Sequence, residues 1–383
     1  MKKQKDYLKK KTKMKRKKSK SKTQEDNIDI ENNNIKDNNY YEDFIDNYKN
    51  YSTPKYISSC EVLTSDSFYE MNSDNSFIVF KSVDNFLYLV YLNKENSFIS
   101  FDLINNKKIN EIKKPHNKDI TSFKYYLDKQ NKRDLIMSLC SDEDNIKIWN
   151  AYNWECLYNI KNIYNKTGIL SCACLLKIDN EEHIVISTYS DMHLIKVINN
   201  IGENIKFIKD SKDYSFCITS HYDKKLDKYY IITGNEGYTK SYDYEKNEFY
   251  LKYSEKNSSQ IDFDRILIKS NEKTTEIIQS NIIDGIQIFN FHSGQLFYKI
   301  FSGYGGKYGF CLWNDKYIVA SCVKIITIIR IKDNKIIKCL KKHNNSIITI
   351  RKVIHPEYGE CLISKGFEDD QIRLWKNKSD YNF

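Results

Sequence analysis

SDEDNIKIWN (residues 141–150) and GFEDDQIRLWK (residues 366–376) place the same pattern at two distant points of the chain. In both stretches an acidic turn precedes a run of alternating apolar and polar residues, and the run ends in tryptophan followed by a polar residue. Alternation with a period of two predicts a β-strand. The recurrence indicates that one structural unit is used repeatedly.

The end of this strand can be followed through most of the chain. Seven runs end in a large apolar residue, at successive intervals of 48, 49, 44, 47, 40 and 46 residues. A repeat of this size, built from four antiparallel strands, is typical of a β-propeller blade. The residues at the repeated position are Phe101, Trp149, Ile198, Tyr242, Phe289, Ile329 and Trp375.

Each period divides into four strand-like runs. In the second period these runs are ITSFKYY (120–126), DLIMSLC (134–140), NIKIWNA (145–151) and WECLYNI (154–160). One four-stranded sheet cannot bury both of its faces, whereas sheets stacked side by side bury each face against a neighbour. We therefore predict an all-β propeller with seven blades, and the spacing leaves six or eight blades open.

The repeats resemble those of the WD-repeat proteins, whose fold is a β-propeller. The resemblance covers residues 55–383 and is most specific in the second and seventh repeats. In that family a histidine precedes the first strand, an aspartate lies in the turn before the third strand, and a tryptophan ends the third strand. The matching residues are His116 and Trp149 in the second repeat, and His343, Asp369 and Trp375 in the seventh.

The resemblance implies a hydrogen-bonded ladder that makes these two blades rigid. Glu143 stands at the aspartate position of the second repeat. The other five repeats have Phe, Tyr or Ile in place of the tryptophan, and they lack the histidine. We expect those five repeats to depend on apolar packing.

The two ends of the repeat region complement each other. The seventh repeat stops after its third strand, and the strand-like run KYISSCEVL (55–63) belongs to no repeat. An open sheet edge exposes unpaired backbone groups and invites aggregation. We therefore expect this N-terminal strand to complete the last blade and close the ring.

The first 52 residues have a different composition from the rest. Residues 1–22 carry 13 basic residues and one acidic residue, and residues 23–50 are acidic and rich in asparagine. Such segments cannot bury enough apolar surface to offset chain entropy. We predict a disordered tail over residues 1–52 and a propeller over residues 53–383.

The basic part of the tail is compatible with three roles. It could act as a nuclear or nucleolar address, bind RNA phosphates, or attach to an anionic surface. A solubilising leader without a partner is the fourth reading. The two clusters consist of Lys9, Lys10, Lys11, Lys15, Arg16, Lys17 and Lys18.

The sequence contains no recognisable catalytic motif, metal-binding motif or phosphate loop. We therefore predict no enzyme activity, no cofactor and no metal, with a propeller hydrolase as the least favoured alternative. No apolar stretch reaches the length of a membrane span, and no secretory signal follows the first methionine. These features favour an intracellular protein with free cysteines.

Binding of other proteins is the predicted function, because loops on a rigid frame are common interaction sites. The resemblance implies a non-catalytic scaffold of a larger complex, with partners on the face that carries the turns before the first and third strands. The alternative is an RNA-associated factor, as in ribosome assembly, that uses the basic tail. The candidate face consists of Asn117, Asp142, Asp144, Tyr189, Asp191, Asn235, Glu236, Tyr304, Asn344, Glu368 and Asp370.

Overall fold

The computed structural model describes the repeat region with gaps at many turns. The described residues are 59–64, 77–93, 95–117, 120–128, 131–140, 145–160, 170–178, 181–188, 192–198, 201–208, 215–235, 238–254, 266–271, 273–281, 285–300, 309–313, 316–366 and 369–376. The predictions for the tail, including its basic clusters and its disorder, lie outside these residues.

The described strands form seven four-stranded antiparallel sheets. The chain begins with β1 (Ser59–Thr64), which belongs to the last sheet. Sheet 1 contains β2 (Phe77–Lys81), β3 (Leu87–Leu92), β4 (Phe98–Asp102) and β5 (Lys107–Ile112). Sheet 2 contains β6 (Ile120–Asp128), β7 (Arg133–Cys140), β8 (Asn145–Asn150) and β9 (Cys156–Ile160). Sheet 3 contains β10 (Leu170–Ile178), β11 (Glu181–Thr188), β12 (Met192–Ile198) and β13 (Ile201–Ile208).

The remaining sheets follow the same plan. Sheet 4 contains β14 (Ser215–Asp223), β15 (Lys228–Asn235), β16 (Tyr238–Asp243) and β17 (Glu248–Tyr253). Sheet 5 contains β18 (Ile266–Ser270), β19 (Thr275–Asn281), β20 (Gly285–Asn290) and β21 (Leu296–Ile300). Sheet 6 contains β22 (Phe310–Trp313), β23 (Tyr317–Cys322), β24 (Ile325–Arg330) and β25 (Lys335–Lys341). Sheet 7 contains β26 (Ile347–His355), β27 (Gly359–Gly366), β28 (Asp369–Lys376) and β1.

Within sheets 1 to 6 the strands pair in chain order, and we call them strands a, b, c and d. In sheet 7, β1 takes the place of strand d and pairs antiparallel with β28, with Cys60 opposite Trp375. This is the pairing that the unassigned run at residues 55–63 predicted.

The middle strands are buried on both faces. In β20 and β24, five of six residues are buried, including polar Gln287 and Thr327 between the apolar positions. This burial agrees with the expectation that stacked sheets bury both of their faces. Strands in the middle of a sheet lose both faces to the interior where other parts of the protein pack on each side of that sheet.

The core consists of apolar clusters that each join two sheets. Clusters connect sheet 7 with sheet 1, sheet 1 with 2, sheet 2 with 3, sheet 3 with 4, sheet 4 with 5, and sheet 6 with 7. Cys172 and Cys174 lie in one of them as buried cysteines in the thiol form, and burial raises the pKa of Cys174 to about 12. The fold is an all-β propeller, as the sequence period predicted.

Within the described residues, no helix has the length and apolar character needed to cross a membrane.

Candidate functional site

The turns of the propeller lie at two opposite ends, because consecutive strands run antiparallel. The turns between strands a and b and between c and d share one end, which we call the a–b end. The turns between strands b and c share the other end with the connections from strand d to the next strand a, and we call this the d–a end. The predicted partner face corresponds to the d–a end.

Two identical hydrogen-bond networks lie beneath the d–a end. In sheet 2, Trp149 Nε1 donates to Ser138 Oγ at 2.8 Å, and His116 Nε2 lies 2.7 Å from the same oxygen. In sheet 7, Trp375 Nε1 donates to Ser364 Oγ at 2.7 Å. Each histidine belongs to the connection that enters its sheet, so each network fixes that connection to strands b and c.

The histidine of sheet 7 makes the equivalent contact, since His343 Nε2 lies 2.7 Å from Ser364 Oγ. All members of both networks are buried. A buried polar group stabilises a fold when its hydrogen bonds are made, and leaving one unmade is costly. The two networks therefore hold the His116 and His343 connections in single conformations.

Sequence reasoning missed the two serines that complete the networks. Ser138 and Ser364 each precede their tryptophan by 11 residues. In both sheets the serine lies on strand b, two residues after the residue paired with the tryptophan. The 11-residue spacing is visible in the sequence, but only the strand register shows that the serine and the tryptophan lie close together.

Burial keeps His116 uncharged. Desolvation, followed by the nearby Lys147 ammonium, lowers the pKa of His116 from 6.5 to about 3, while a hydrogen bond with Asn145 opposes this shift. Lys147 Nζ donates to Pro115 O at 2.6 Å, which fixes the connection at a second point. The histidine thus serves as a neutral hydrogen-bonding group.

The acidic residue that the resemblance assigns to each network has no described side chain. Asp369 begins β28, but the structure describes only its backbone. Glu143 lies outside the described residues. The participation of these carboxylates stays a prediction.

The seven residues at the repeated position all lie on the third strand of their sheet. In five sheets the register between strands c and d shifts immediately before this residue, which marks a β-bulge. The residues at the bulge are Phe101, Trp149, Tyr242, Phe289 and Ile329. Ile198 ends β12, and its side chain is not described.

In sheets 4 and 5 the expected apolar packing is present, since Tyr242 and Phe289 lie in apolar clusters, and polar side-chain pairs add to it. In sheet 4, Asn235 accepts a hydrogen bond from Ser215 Oγ at 2.9 Å and donates to Thr233 Oγ1 at 3.1 Å. In sheet 5, Gln279 Nε2 donates to Gln287 Oε1 at 2.9 Å. Here side-chain pairs within one sheet take the place of the histidine network.

Asn235 also corrects the predicted partner face. Its side chain is 1% exposed, because it ends strand b beneath the start of strand a and bonds there. It is therefore a structural residue and cannot contact a partner directly.

Besides Asn235, the members of the predicted face whose exposure is described are Asn117 and Asn344, and both are exposed at the d–a end. Asp370 lies in β28 with its side chain undescribed. The members outside the described residues are Asp142, Asp144, Tyr189, Asp191, Glu236, Tyr304 and Glu368.

Among the described residues, no group of three or more His, Cys, Asp or Glu side chains is arranged to hold a metal ion.

Comparison with solved structures is informative about the fold. No family model and no curated protein matches the sequence. Among solved structures, the chain is similar to the crystal structure of the β-propeller domain of Cps50 (Swd1) from Myceliophteria thermophila, with 14% identity and a TM-score of 0.59. The likeness covers 82% of this chain and 99% of that one. It shows the fold, a β-propeller.

Proposed function

We propose that this protein is a non-catalytic scaffold that binds other proteins at the d–a end of its propeller. The observation that carries the proposal is the pair of networks that fix the His116 and His343 connections. Both connections present exposed asparagines, Asn117 and Asn344, on a rigid support. A binding surface that is already ordered loses little conformational entropy when a partner binds.

The proposal includes a closed ring of seven blades. Seven four-stranded sheets, the β1–β28 pairing and the apolar clusters between successive sheets support it. A closed ring has no free edge at its joint, which prevents edge-to-edge aggregation. It also keeps the loops of the d–a end at fixed separations, as simultaneous binding of several partners requires.

Proximity labelling in cells tests the proposed binding end. The test variant carries Asn117→Arg and Asn344→Arg, which add two long charged side chains at the d–a end. The control carries Asn153→Arg and Gln295→Arg, both exposed at the a–b end. We expect the test variant to lose labelled partners at least fivefold while the control retains them. Equal retention by both variants, or loss in the control alone, would contradict the proposal.

A further inference from the structure

Five exposed lysines form two groups at the d–a end. Lys113 and Lys114 follow β5, whereas Lys341 and Lys342 lie at the end of β25 beside Lys324. The register places Lys341 opposite Ile325, next to Lys324. In the part of the chain that the structure describes, none of the five forms an ion pair.

The backbone around both groups is fixed. Ile347 N donates to Val323 O at 2.8 Å, which joins the connection after Lys342 to the turn that holds Lys324. The bond from Lys147 to Pro115 O fixes the residues after Lys114 in the same way. The ammonium groups therefore project from two anchored positions.

The a–b end has a different charge pattern. Its basic residues share their turns with carboxylates, as in the pairs Arg133–Asp128 at 2.8 Å and Arg330–Asp333 at 2.6 Å. By contrast, the described residues 113–117 and 341–346 include no acidic residue. The positive charge of the d–a lysines is thus not balanced by the described residues of their own connections.

We propose that the two lysine groups bind an acidic segment of a partner protein, with carboxylates spaced along an extended chain. The inference rests on the proposed function and names the chemistry of the partner. Anchored lysines gain Coulomb energy from such a ligand, and the attraction also speeds association.

One observation favours a protein over a nucleic acid. Base stacking requires accessible aromatic rings. The exposed rings of Phe86 and Tyr152 lie at the a–b end, away from the lysines.

Site-resolved cross-linking tests the inference on the full chain. The probe is a twelve-residue peptide of alternating Glu and Ala, joined to nearby lysines by a carbodiimide and mapped by mass spectrometry. Mapping separates the propeller lysines from the lysines of the basic tail. We expect the five d–a lysines to react at least threefold more than Lys81, Lys107 and Lys132, which are exposed at the a–b end.

The matched variants reverse the charge of two lysines, and the cross-linking yield at Lys324 is the quantity measured. Lys341→Glu with Lys342→Glu should reduce cross-linking at Lys324 at least fivefold, because the neighbouring positive charges are reversed. Lys224→Glu with Lys225→Glu, at the a–b end, should change cross-linking at Lys324 by less than twofold.

Equal cross-linking of the lysines at both ends, or equal effects of the two double variants, would overturn the inference. A U12 RNA that shields the five lysines at lower concentration than the peptide would overturn it in favour of nucleic acid. If the peptide fails but the asparagine variants still lose their partners, the scaffold proposal stands without this inference. If both experiments fail, both proposals fail.

Discussion

The ring of Trp154 stacks on the ring of Phe98 across the boundary between sheets 2 and 1, with centroids 5.3 Å apart and planes 15° apart. Trp154 lies in the c–d turn of sheet 2 with a φ of 60°. The equivalent turns of sheets 1, 4, 5 and 6 have Asn106, Asn247, Gly294 and Asn334 with a similar positive φ. Asparagine and glycine adopt this conformation readily, whereas a bulky residue pays a conformational cost. In sheet 2 the burial of the indole offsets that cost.

Trp154→Gly should therefore destabilise the protein despite relieving the backbone. Loss of a buried tryptophan costs about 3–5 kcal/mol, and relief of the left-handed conformation returns about 1–2 kcal/mol. We expect a net loss of about 1–4 kcal/mol by denaturant unfolding. Asn247→Gly, at the equivalent turn of sheet 4, serves as the control and should change stability by less than about 1 kcal/mol. A Trp154→Gly protein as stable as the wild type would show that the indole contributes nothing net.

Ser138→Ala should destabilise sheet 2, since Trp149 Nε1 and His116 Nε2 would both lose their described partner. Leaving buried polar groups unsatisfied costs about 1–3 kcal/mol. Ser364→Ala should destabilise sheet 7 for the same reason. Ser293→Ala, at an exposed turn, provides the baseline and should stay within about 0.5 kcal/mol. Thermal or denaturant unfolding measures all three, and equal stability of the buried and exposed variants would refute the structural role of the networks.

The lowered pKa of His116 predicts a pH dependence of stability. The unfolded chain has the ordinary histidine pKa of 6.5 and the folded chain a pKa of about 3, so the unfolded chain binds more protons between these values. The stability that His116 contributes is thus complete above pH 6.5 and falls as the pH drops towards 3. The slope for one such group reaches about 1.4 kcal/mol per pH unit.

His116→Gln should remove this slope while keeping a polar side chain. Unfolding free energies at pH 7, 6 and 5 should fall less steeply in the variant than in the wild type. His355→Gln, which alters another buried histidine, controls for the loss of a histidine as such. An unchanged slope in His116→Gln would mean that the histidine is not buried in its neutral form.

Removal of β1 should open the last sheet. A chain that starts at residue 65 exposes the edge of β28 and loses buried Leu63, whereas a chain that starts at residue 53 keeps both. An unpaired edge strand promotes aggregation. We expect the shorter chain to aggregate or to melt at a lower temperature, measured by light scattering and calorimetry. Equal melting of the two truncated chains would contradict the role of β1 in completing sheet 7.

The sequence predicts the repeat well because the repeat depends on local patterns. The period located strand c in every sheet, and an unassigned apolar run identified β1. The predicted first and last residues of the strands were less accurate. The predicted strand WECLYNI starts at Trp154, but β9 starts at Cys156 because Trp154 belongs to the turn. Alternation in sequence shows where a strand lies, but hydrogen bonds within the turn decide where it begins.

The polar interior was harder to predict because it depends on strand register. A serine in a strand is common, and only its position beside Trp149 shows that Ser138 is a network member. Asn235 and Gln279 are buried, and each forms a side-chain hydrogen bond within its own sheet. Such pairs arise from cross-strand neighbours, which the linear sequence does not define.

The central claim is that partners bind at the d–a end, and hydrogen–deuterium exchange of the full chain tests it most directly. The protein would be compared alone and with a partner purified through the labelling experiment. We expect the amides of residues 113–117 and 341–346 to exchange at least tenfold more slowly in the complex, while residues 82–86 and 151–155 at the a–b end stay unchanged. Protection confined to the a–b end would contradict the account.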